Sequence, residues 1–272
     1  MRQIIGFGCT EGTAVHNIGL KGLKNTRDFG GMRAVGGTVR PHMLLRSAHL
    51  HDLPPRNAAL LRDEYNVRLI VDLRTETECA EKPDVEIPGV EHRHMPIMDE
   101  ATVGITHEQA SDDRTTLLAR LPEMNELYRA LVRGDNLERL AEAVTLIMES
   151  AGPDGAVLFH CTEGKDRVGI TAFILQWILG VPYAAIVEDY LYTNNVARAR
   201  ARRYYWMVRL LKRDKIAAAR VRSLFMADEA YLNAALDEIQ GSFGDVDCFI
   251  AEGLGLSGAR QQAFRTRLLE TG

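Results

Sequence analysis

Short apolar runs alternate with longer segments of helical periodicity over the first two thirds of the chain. The apolar runs predict buried strands at residues 67–74 and 156–159, and an extended segment at residues 90–98. Helical spacing of apolar positions predicts helices at residues 54–65, 116–132, 137–149 and 170–179. Glycines near residue 36 predict a β-hairpin that includes an extended segment at residues 38–47. This alternation indicates an α/β fold with a central, mostly parallel sheet flanked by helices.

The pattern changes after Gly180, because the rest of the chain shows helical spacing and no convincing strand. We expect residues 183–245 to form a helical cap and residues 251–269 to form one or two short packing helices. The chain of 272 residues contains no evident low-complexity tract or internal repeat. Residues 1–272 are therefore expected to form a single domain.

Composition narrows the class of protein. The hydrophobic fraction of 46% and the charged fraction of 26% are those of an ordinary soluble globular protein. A net charge of −4 gives the whole molecule no electrostatic basis for binding nucleic acid. The four cysteines form no Cys-x-x-Cys pair, which argues against a zinc ribbon and fits a reducing compartment. Residues 1–20 lack the apolar core of a secretory signal, so we expect a cytoplasmic protein, with leaderless secretion left open.

Positive charge is concentrated in residues 198–222. This segment contains ten Lys or Arg residues and one acidic residue, so its local charge is +9. Helical spacing places four apolar residues on one face that we expect to pack, namely Tyr204, Met207, Val208 and Leu211. The other face carries Arg198, Arg202, Trp206, Arg209 and Arg213. Two interpretations stay open for this second face: a solvated charged side, or contact with a substrate or a membrane surface.

Candidate chemistry centres on residues 159–169, between the strand predicted at 156–159 and the helix predicted at 170–179. Cys161 stands at this strand-to-helix turn, where unpaired N–H groups and the helix dipole favour an anion and a thiolate nucleophile. With five residues between them, Arg167 and Cys161 are spaced to surround one tetrahedral oxyanion. The predicted phosphate-binding residues are Cys161, Thr162, Glu163, Gly164, Lys165, Asp166 and Arg167.

The segment from His160 to Arg167 has the pattern His-Cys-x5-Arg. This pattern is the signature of the cysteine-dependent protein tyrosine phosphatases. The chain resembles the bacterial atypical, lipid-phosphatase-like branch of that superfamily. Further segments that agree with this branch lie at residues 25–31, 45–47, 72–78 and 189–194. The resemblance implies a phosphatase fold with a helical insertion over the active site, and a mechanism that uses no metal or cofactor. The implied activity is hydrolysis of phosphotyrosine, with phosphoserine, phosphothreonine and phosphoinositides as further candidate substrates.

One position departs from the family pattern. The family usually has a hydroxyl residue directly after the loop arginine, whereas this chain has Val168. A hydroxyl at that position donates to the departing thiolate when the phosphocysteine intermediate breaks down. We therefore expect slow turnover or an accumulating intermediate.

Departure of the leaving group needs a proton donor, and the sequence offers Asp166, Asp99 and Asp72. Asp166 is favoured by its place in the loop and by the resemblance, although an aspartate in the first turn of a helix also stabilises the helix dipole. Asp99 follows the extended segment without a specific motif. Asp72, beside Arg74, is better interpreted as an ion-paired structural residue.

Two further loop residues carry alternative interpretations. Lys165 is either a positive charge for a second phosphate or acidic peptide, or a solvated side chain near the phosphate site. His160 is interpreted as a donor that orders the loop backbone, with an ordinary strand-end histidine as the alternative. The other histidines have no acidic or thiol partner at a recognisable spacing, so no metal site is predicted. They include His49, His51, His92 and His94.

Three classes of function remain. The leading hypothesis is a cysteine phosphatase acting through Cys161, Asp166 and Arg167 on a phosphorylated protein or phosphoinositide. A rhodanese-like sulfurtransferase also places a cysteine on a strand-to-helix loop, but Arg167 counts against it. A non-catalytic reader of phosphoproteins or lipid headgroups is the third class, with Val168 as the mark of lost catalysis.

Overall fold

The computed structural model describes residues 16–98 and 123–271. Its strands are β1 (His16–Asn17), β2 (Arg27–Asp28), β3 (Arg33–Ala34), β4 (Gly37–Val39), β5 (Leu44–Ser47), β6 (Val67–Asp72), β7 (Glu91–His94), β8 (Ala156–His160) and β9 (Leu269–Glu270). Its helices are α1 (Pro55–Asp63), α2 (Glu76–Glu81), α3 (Met124–Leu131), α4 (Gly134–Ser150), α5 (Asp166–Leu179), α6 (Tyr183–Lys212), α7 (Lys215–Phe225), α8 (Glu229–Phe243) and α9 (Gly258–Leu268). A single helical turn, Val246–Cys248, leads into a π-helix, Phe249–Gly253, ahead of α9.

Six strands form the central sheet in the order β1-β2-β5-β8-β6-β7. The pairs β5–β8, β8–β6 and β6–β7 are parallel, whereas β1 and β2 add an antiparallel edge. Strand β8 lies between two parallel neighbours and is buried along its whole length, which explains its continuous apolar sequence. The α/β architecture with a mostly parallel sheet is therefore confirmed.

Helices cover both faces of this sheet. Because successive strand residues point to opposite faces, Val157 and Phe159 pack in the larger core with α4 and α5. Leu158 faces the smaller core on the α1 side, with Leu61. Helix α5 is buried at every position from Arg167 to Gln176, so it is a central helix rather than a surface one. It also begins at Asp166, four residues earlier than predicted, which brings its first turn into the cysteine loop.

Two predictions about strands need correction. The extended segment 38–47 does not form one hairpin strand: Gly37–Val39 pairs in a small second sheet with β3 and β9, and Leu44–Ser47 joins the central sheet. The absence of strands after Gly180 is also wrong, because Leu269–Glu270 pairs with β4. A two-residue strand carries no periodicity that sequence reasoning can detect.

Helices α6, α7 and α8 occupy the region where a cap was expected. Helices α6 and α7 pack against each other, and α8 packs on α3. The expected packing face on α6 is wrong for Met207 and Leu211, which are 42% and 70% exposed. Helix α7 instead lies on the side of α6 that carries the buried Ala197 and Ala201. Within the described ranges, no helix combines the length and apolar content needed to cross a bilayer.

Candidate active site

Cys161 lies directly beyond the end of β8, and its side chain is only 3% exposed. Helix α5 starts five residues later at Asp166, so its positive dipole end is at the cysteine loop. Gly164 has a φ of +63°, and a Cβ at this position would lie 2.5 Å from the carbonyl oxygen of Ser47. Only glycine fits this turn, because any side chain would collide with backbone. The predicted strand-to-helix turn is present, and Gly164 occupies its left-handed position.

Arg167 is held by a carboxylate that the sequence did not assign to the site. Its Nη1 donates to Glu78 Oε2 at 2.6 Å and its Nη2 donates to Glu78 Oε1 at 2.8 Å. The Thr162 hydroxyl also donates to Glu78, and the Thr75 amide donates to it at 3.0 Å. Such a bidentate ion pair fixes the plane of the guanidinium as well as its position. Arg167 is therefore oriented before any substrate arrives.

This pairing shifts the pKa values of both partners. Burial by itself raises the pKa of Glu78. The hydrogen bonds and charge of Arg167, together with the Thr162 hydroxyl, outweigh this effect and lower the pKa to about 2. Burial lowers the pKa of Arg167, but Glu78 and the neighbouring Cys161 hold it above its ordinary value. The pair is ionised at neutral pH, and the positive charge of Arg167 lies near Cys161.

Buried donors fix the opposite side of the loop through its carbonyl groups. Asn25 Nδ2 donates to the carbonyl oxygens of Glu163 and Gly164, at 3.1 Å and 2.9 Å. Arg46 Nη2 donates to the Gly164 oxygen at 3.0 Å. With these carbonyls held outward, the backbone of the loop has little freedom to rotate.

Asp189 of α6 holds these donors in place. It pairs with Arg46 and with Arg27, each at 2.7 Å, and all three side chains are buried. Burial raises the pKa of Asp189, but the two guanidinium groups bring it below its ordinary value. Residues from three segments that carried the family resemblance, 25–31, 45–47 and 189–194, therefore meet around the catalytic loop. The segments that carried the resemblance therefore include the residues that hold the loop as well as the loop itself.

Asp166 lies in the first turn of α5 and is anchored by a tyrosine pair. Tyr128 donates from its hydroxyl to Asp166 Oδ1 at 2.8 Å, and the hydroxyls of Tyr128 and Tyr190 are 2.7 Å apart. Burial, followed by the charge of Asp166, raises the pKa of Tyr128 well above its ordinary value, so Tyr128 keeps its proton. One carboxylate oxygen of Asp166 is thus fixed by a permanent donor.

Lys165 does not face the substrate side, and both interpretations from the sequence are wrong. It is 1% exposed, and its Nζ donates to the carbonyl oxygens of Leu224 at 2.7 Å, Met226 at 3.3 Å and Ser223 at 3.4 Å. These oxygens lie at the C-terminal end of α7, where the helix dipole is negative. The ammonium group binds the helical cap and also lies 3.3 Å from Asp166 Oδ1, rather than facing a second phosphate or solvent.

Glu163 also contacts the cap, through an ion pair with Arg200 of α6. The guanidinium of Arg200 lies over the ring of Phe225, 4.8 Å from its centroid. Between the loop and the two helices is a cavity of about 240 Å³. Its lining includes Lys24, Glu163, Lys165, Arg200 and Phe225. Both charged residues of the loop between Cys161 and Asp166 therefore connect the catalytic loop to the cap.

His160 is wholly buried and faces acids rather than the loop backbone. Its Nε2 lies 2.9 Å from Asp84 Oδ2, so its interpretation as a backbone donor is wrong. Arg74 pairs with Asp72 at 2.6 Å and with Asp84 at 2.8 Å, which confirms Asp72 as an ion-paired residue. Burial raises the pKa of Asp72, but His160 and Arg74 bring it well below its ordinary value. Asp72 is consequently ionised at neutral pH and poorly suited to donate a proton.

The same cluster is where a metal ion would be sought in the described part of the chain. Ligand atoms of Asp72, Asp84 and His160 lie within 4.8 Å of one another. The guanidinium of Arg74 already compensates both carboxylates. This donor set is filled by a protein cation and does not offer a free metal site.

Val168 and Asp99 are the two remaining positions singled out by the sequence. Val168 is fully buried in the larger core. The nearby Thr162 hydroxyl already donates to Glu78, so it does not replace the hydroxyl that Val168 lacks. Asp99, the third candidate acid, lies outside the described residues.

Sequence reasoning assigned no role to Glu78, Tyr128 or Asp84. Glu78 had a detectable signal, because Thr75 and Glu78 form the Thr-x-x-Glu capping box of α2 directly after a strand. That motif predicts a helix start and not an arginine partner. Tyr128 and Asp84 have no local signal, since their partners are distant in sequence.

The site combines a buried thiol at the end of a central strand, the start of a buried helix, and an arginine fixed by a carboxylate. That combination defines a cysteine-dependent hydrolase of phosphate esters. The family model described as the tyrosine phosphatase family matches residues 18–270. The chain belongs to the tyrosine phosphatase family and is a cysteine-dependent phosphatase. Family membership removes the sulfurtransferase alternative.

Two sequence relatives agree with this placement. A protein of Cupriavidus necator that carries the name of a tyrosine-protein phosphatase is 27% identical over 244 residues, 88% of this chain and 84% of that protein. The triple specificity protein phosphatase PtpB of Mycobacterium tuberculosis is 27% identical over 204 residues, 67% of this chain and 71% of PtpB. A solved structure of P. aeruginosa TpbA in complex with pTyr is 17% identical, with a TM-score of 0.33, and the match covers 57% of this chain and 71% of that one.

Proposed function

We propose that this phosphatase hydrolyses phosphate monoesters through in-line attack of Cys161 Sγ on phosphorus. A sulfur–phosphorus bond forms as the ester oxygen–phosphorus bond breaks, and Asp166 gives its proton to the leaving oxygen. Water then attacks the phosphocysteine while Asp166 takes a proton from it. The sulfur–phosphorus bond breaks, which returns the thiolate and releases inorganic phosphate.

The observation that carries this proposal is the rigid loop around Cys161. The carbonyls of Glu163 and Gly164 are bonded outward to Asn25 and Arg46. The loop amides from Thr162 to Arg167 can therefore converge on one oxyanion, together with the Arg167 guanidinium. Donors fixed in advance stabilise charge in the transition state without reorganisation. This arrangement supports binding of a tetrahedral phosphate directly above the thiol.

Asp166 is favoured over Asp72 as the proton donor. Tyr128 holds one oxygen of Asp166 at 2.8 Å, which leaves the second oxygen available for proton transfer. Asp72 is bound by Arg74 through several hydrogen bonds. A carboxylate in that setting serves to hold the arginine rather than to exchange protons.

Phosphotyrosine peptides are the proposed principal substrates, with phosphoserine, phosphothreonine and phosphoinositides as extensions. The name of PtpB as a triple specificity phosphatase supports the wider range. We also propose that residues 198–222 contact an anionic membrane surface, supported by their local charge of +9. The cytoplasmic location expected from the sequence stays a prediction.

One substrate panel tests the proposal. Wild type and Cys161→Ser are compared on a phosphotyrosine peptide, a phosphoserine peptide and soluble phosphoinositides. We expect wild type to hydrolyse the phosphotyrosine peptide and Cys161→Ser to be inactive on all three. Wild type that binds phosphate but hydrolyses none of them would favour the non-catalytic reader instead.

A further inference from the structure

The far end of the α6–α7 helical hairpin is unusually apolar for an exposed surface. We define the hairpin tip as residues 206–216. Its large apolar side chains are mostly in solvent: Trp206 is 53% exposed, Leu210 73%, Leu211 70% and Ile216 75%. Among residues 202–216, no side chain that the structure describes is buried. The tip therefore extends away from the body of the protein, and these residues do not stabilise its core.

Helical geometry gathers these side chains into one patch. At ~100° per residue, Trp206, Met207, Leu210 and Leu211 fall within an arc of roughly 140° on α6. Ile216, in the first turn of α7 at the same end of the hairpin, is exposed as well. The patch lies on the side of α6 away from the buried Ala201, where α7 packs. No other described element of this chain covers it.

Positive charge surrounds the apolar patch. The exposed basic residues of α6, α7 and the turn between them include Arg202, Arg203, Arg213, Lys215 and Arg220. The single acid of the segment, Asp214, accepts hydrogen bonds from the amides of Ile216 at 2.8 Å and Ala217 at 3.1 Å. Its charge is directed at the start of α7, where it caps the helix. Little negative charge at the tip is left to oppose an anionic surface.

We propose that the hairpin tip inserts its apolar side chains into the interface of an anionic lipid bilayer. Tryptophan prefers the headgroup level, aliphatic side chains prefer the acyl boundary, and arginines pair with lipid phosphates. This combination of an apolar patch and a basic rim favours a bilayer over an acidic protein, which would leave Leu210, Leu211 and Ile216 in water. The inference deepens the proposed membrane contact and rests on that part of the proposed function.

Docking at the tip would hold the active site near the membrane. The base of the hairpin contacts the catalytic loop, through Arg200 with Glu163 and through the end of α7 with Lys165. Leu210 is about 15 Å along the helix from Arg200. Membrane docking would therefore keep the loop that contains Cys161 and Glu163 roughly 15 Å from the inserted tip.

The protein carries its own reporter for a direct test. Its two tryptophans are Trp177 and Trp206, so the variant Trp177→Phe leaves one tryptophan at the tip. This protein is mixed with phosphatidylcholine vesicles containing roughly 30% phosphatidylserine, and with pure phosphatidylcholine vesicles. We expect a blue shift of the emission and quenching by brominated acyl chains with the anionic vesicles only. Unchanged emission with both kinds of vesicle would overturn the proposal.

Variants separate insertion from charge attraction and from self-association. The triple variant Leu210→Ser, Leu211→Ser and Ile216→Ser is expected to bind anionic vesicles at least about tenfold more weakly than wild type. Val35→Ser, which removes an apolar side chain that is 63% exposed elsewhere, is the matched control and should bind normally. Arg203→Gln should weaken binding by roughly fivefold. All variants should hydrolyse soluble p-nitrophenyl phosphate like wild type, so failed docking remains distinct from failed catalysis. The proposal is wrong if the triple variant binds anionic vesicles normally. It is also wrong if the three substitutions disrupt only a dimer of this chain and leave vesicle binding unchanged.

Discussion

Glu78 fixes the guanidinium of Arg167, and removing its charge is expected to cost both stability and activity. The change Glu78→Gln keeps the shape of the side chain but leaves the guanidinium of Arg167, which is only 7% exposed, without its anion. Removing one partner of a buried ion pair costs on the order of 3–5 kcal/mol. The pKa of Glu78 falls from 4.5 to about 2, which corresponds to about 3 kcal/mol at neutral pH. The two values agree.

The pH dependence of stability follows from the sign of this shift. A carboxyl group whose pKa is lowered on folding stabilises the fold when the pH is above its pKa in the unfolded chain, which is 4.5 for Glu78. That contribution is lost as the pH falls from 4.5 towards about 2. Urea unfolding across this window should show wild type losing stability more steeply than Glu78→Gln. At neutral pH the variant should be less stable by about 2–3 kcal/mol, because glutamine keeps some of the hydrogen bonds.

The activity of Glu78→Gln should fall by more than its loss of folding stability alone would cause. A guanidinium that is no longer held in one plane meets the oxyanion in poor geometry, and such misplacement costs about 100-fold in kcat/KM. Hydrolysis of p-nitrophenyl phosphate at neutral pH measures it, with Glu76→Gln as the matched control. Glu76 lies on the same helix, is exposed and should tolerate the change. A Glu78→Gln enzyme within twofold of wild type in kcat/KM would refute the positioning role.

Three further predictions concern other parts of the site. Lys165→Met removes the ammonium bound to the end of α7, so the free energy of unfolding should fall by about 1–3 kcal/mol and iodoacetamide should label Cys161 faster. Unchanged labelling would show that this contact does not hold the cap on the loop. Val168→Thr should speed breakdown of the phosphocysteine and reduce any burst in rapid-mixing experiments; wild type without a burst and with fast steady-state turnover would contradict the role given to Val168. Asp166→Asn should lower kcat/KM on phenyl phosphate by about 100-fold or more, with a smaller loss on p-nitrophenyl phosphate, whose leaving group needs no proton. Equal losses on both esters would count against Asp166 as the acid.

The catalytic loop was predictable because its determinants are local. The apolar run before Cys161 makes a buried strand in any α/β sheet, and the periodic segment after it makes a helix. Gly164 could be anticipated for the same reason, since a tight turn between two such elements needs a residue without a side chain. Local patterns therefore predicted the strand-to-helix turn that contains Cys161.

The partners of the loop could not be predicted, because they depend on contacts between distant segments. Arg167 and Glu78 are 89 positions apart, and Lys165 and Leu224 are 59 positions apart. A lysine in a phosphate-binding motif suggests a ligand contact, yet here the carbonyl oxygens at the end of α7 bind it. The helical wheel failed at Leu211 for a related reason. Amphipathic spacing shows that a face is apolar, but it cannot show whether a partner covers that face.

The central claim is that Cys161 carries the phosphate during turnover. Rapid mixing of enzyme with phenyl phosphate, acid quenching and intact-mass analysis measure this directly. We expect wild type to show one added phosphate, located on Cys161 by peptide mapping. Cys161→Ala should show none and should have lost turnover while keeping its circular dichroism spectrum. Turnover that survives in Cys161→Ala, or a phosphate found on another residue, would contradict the account.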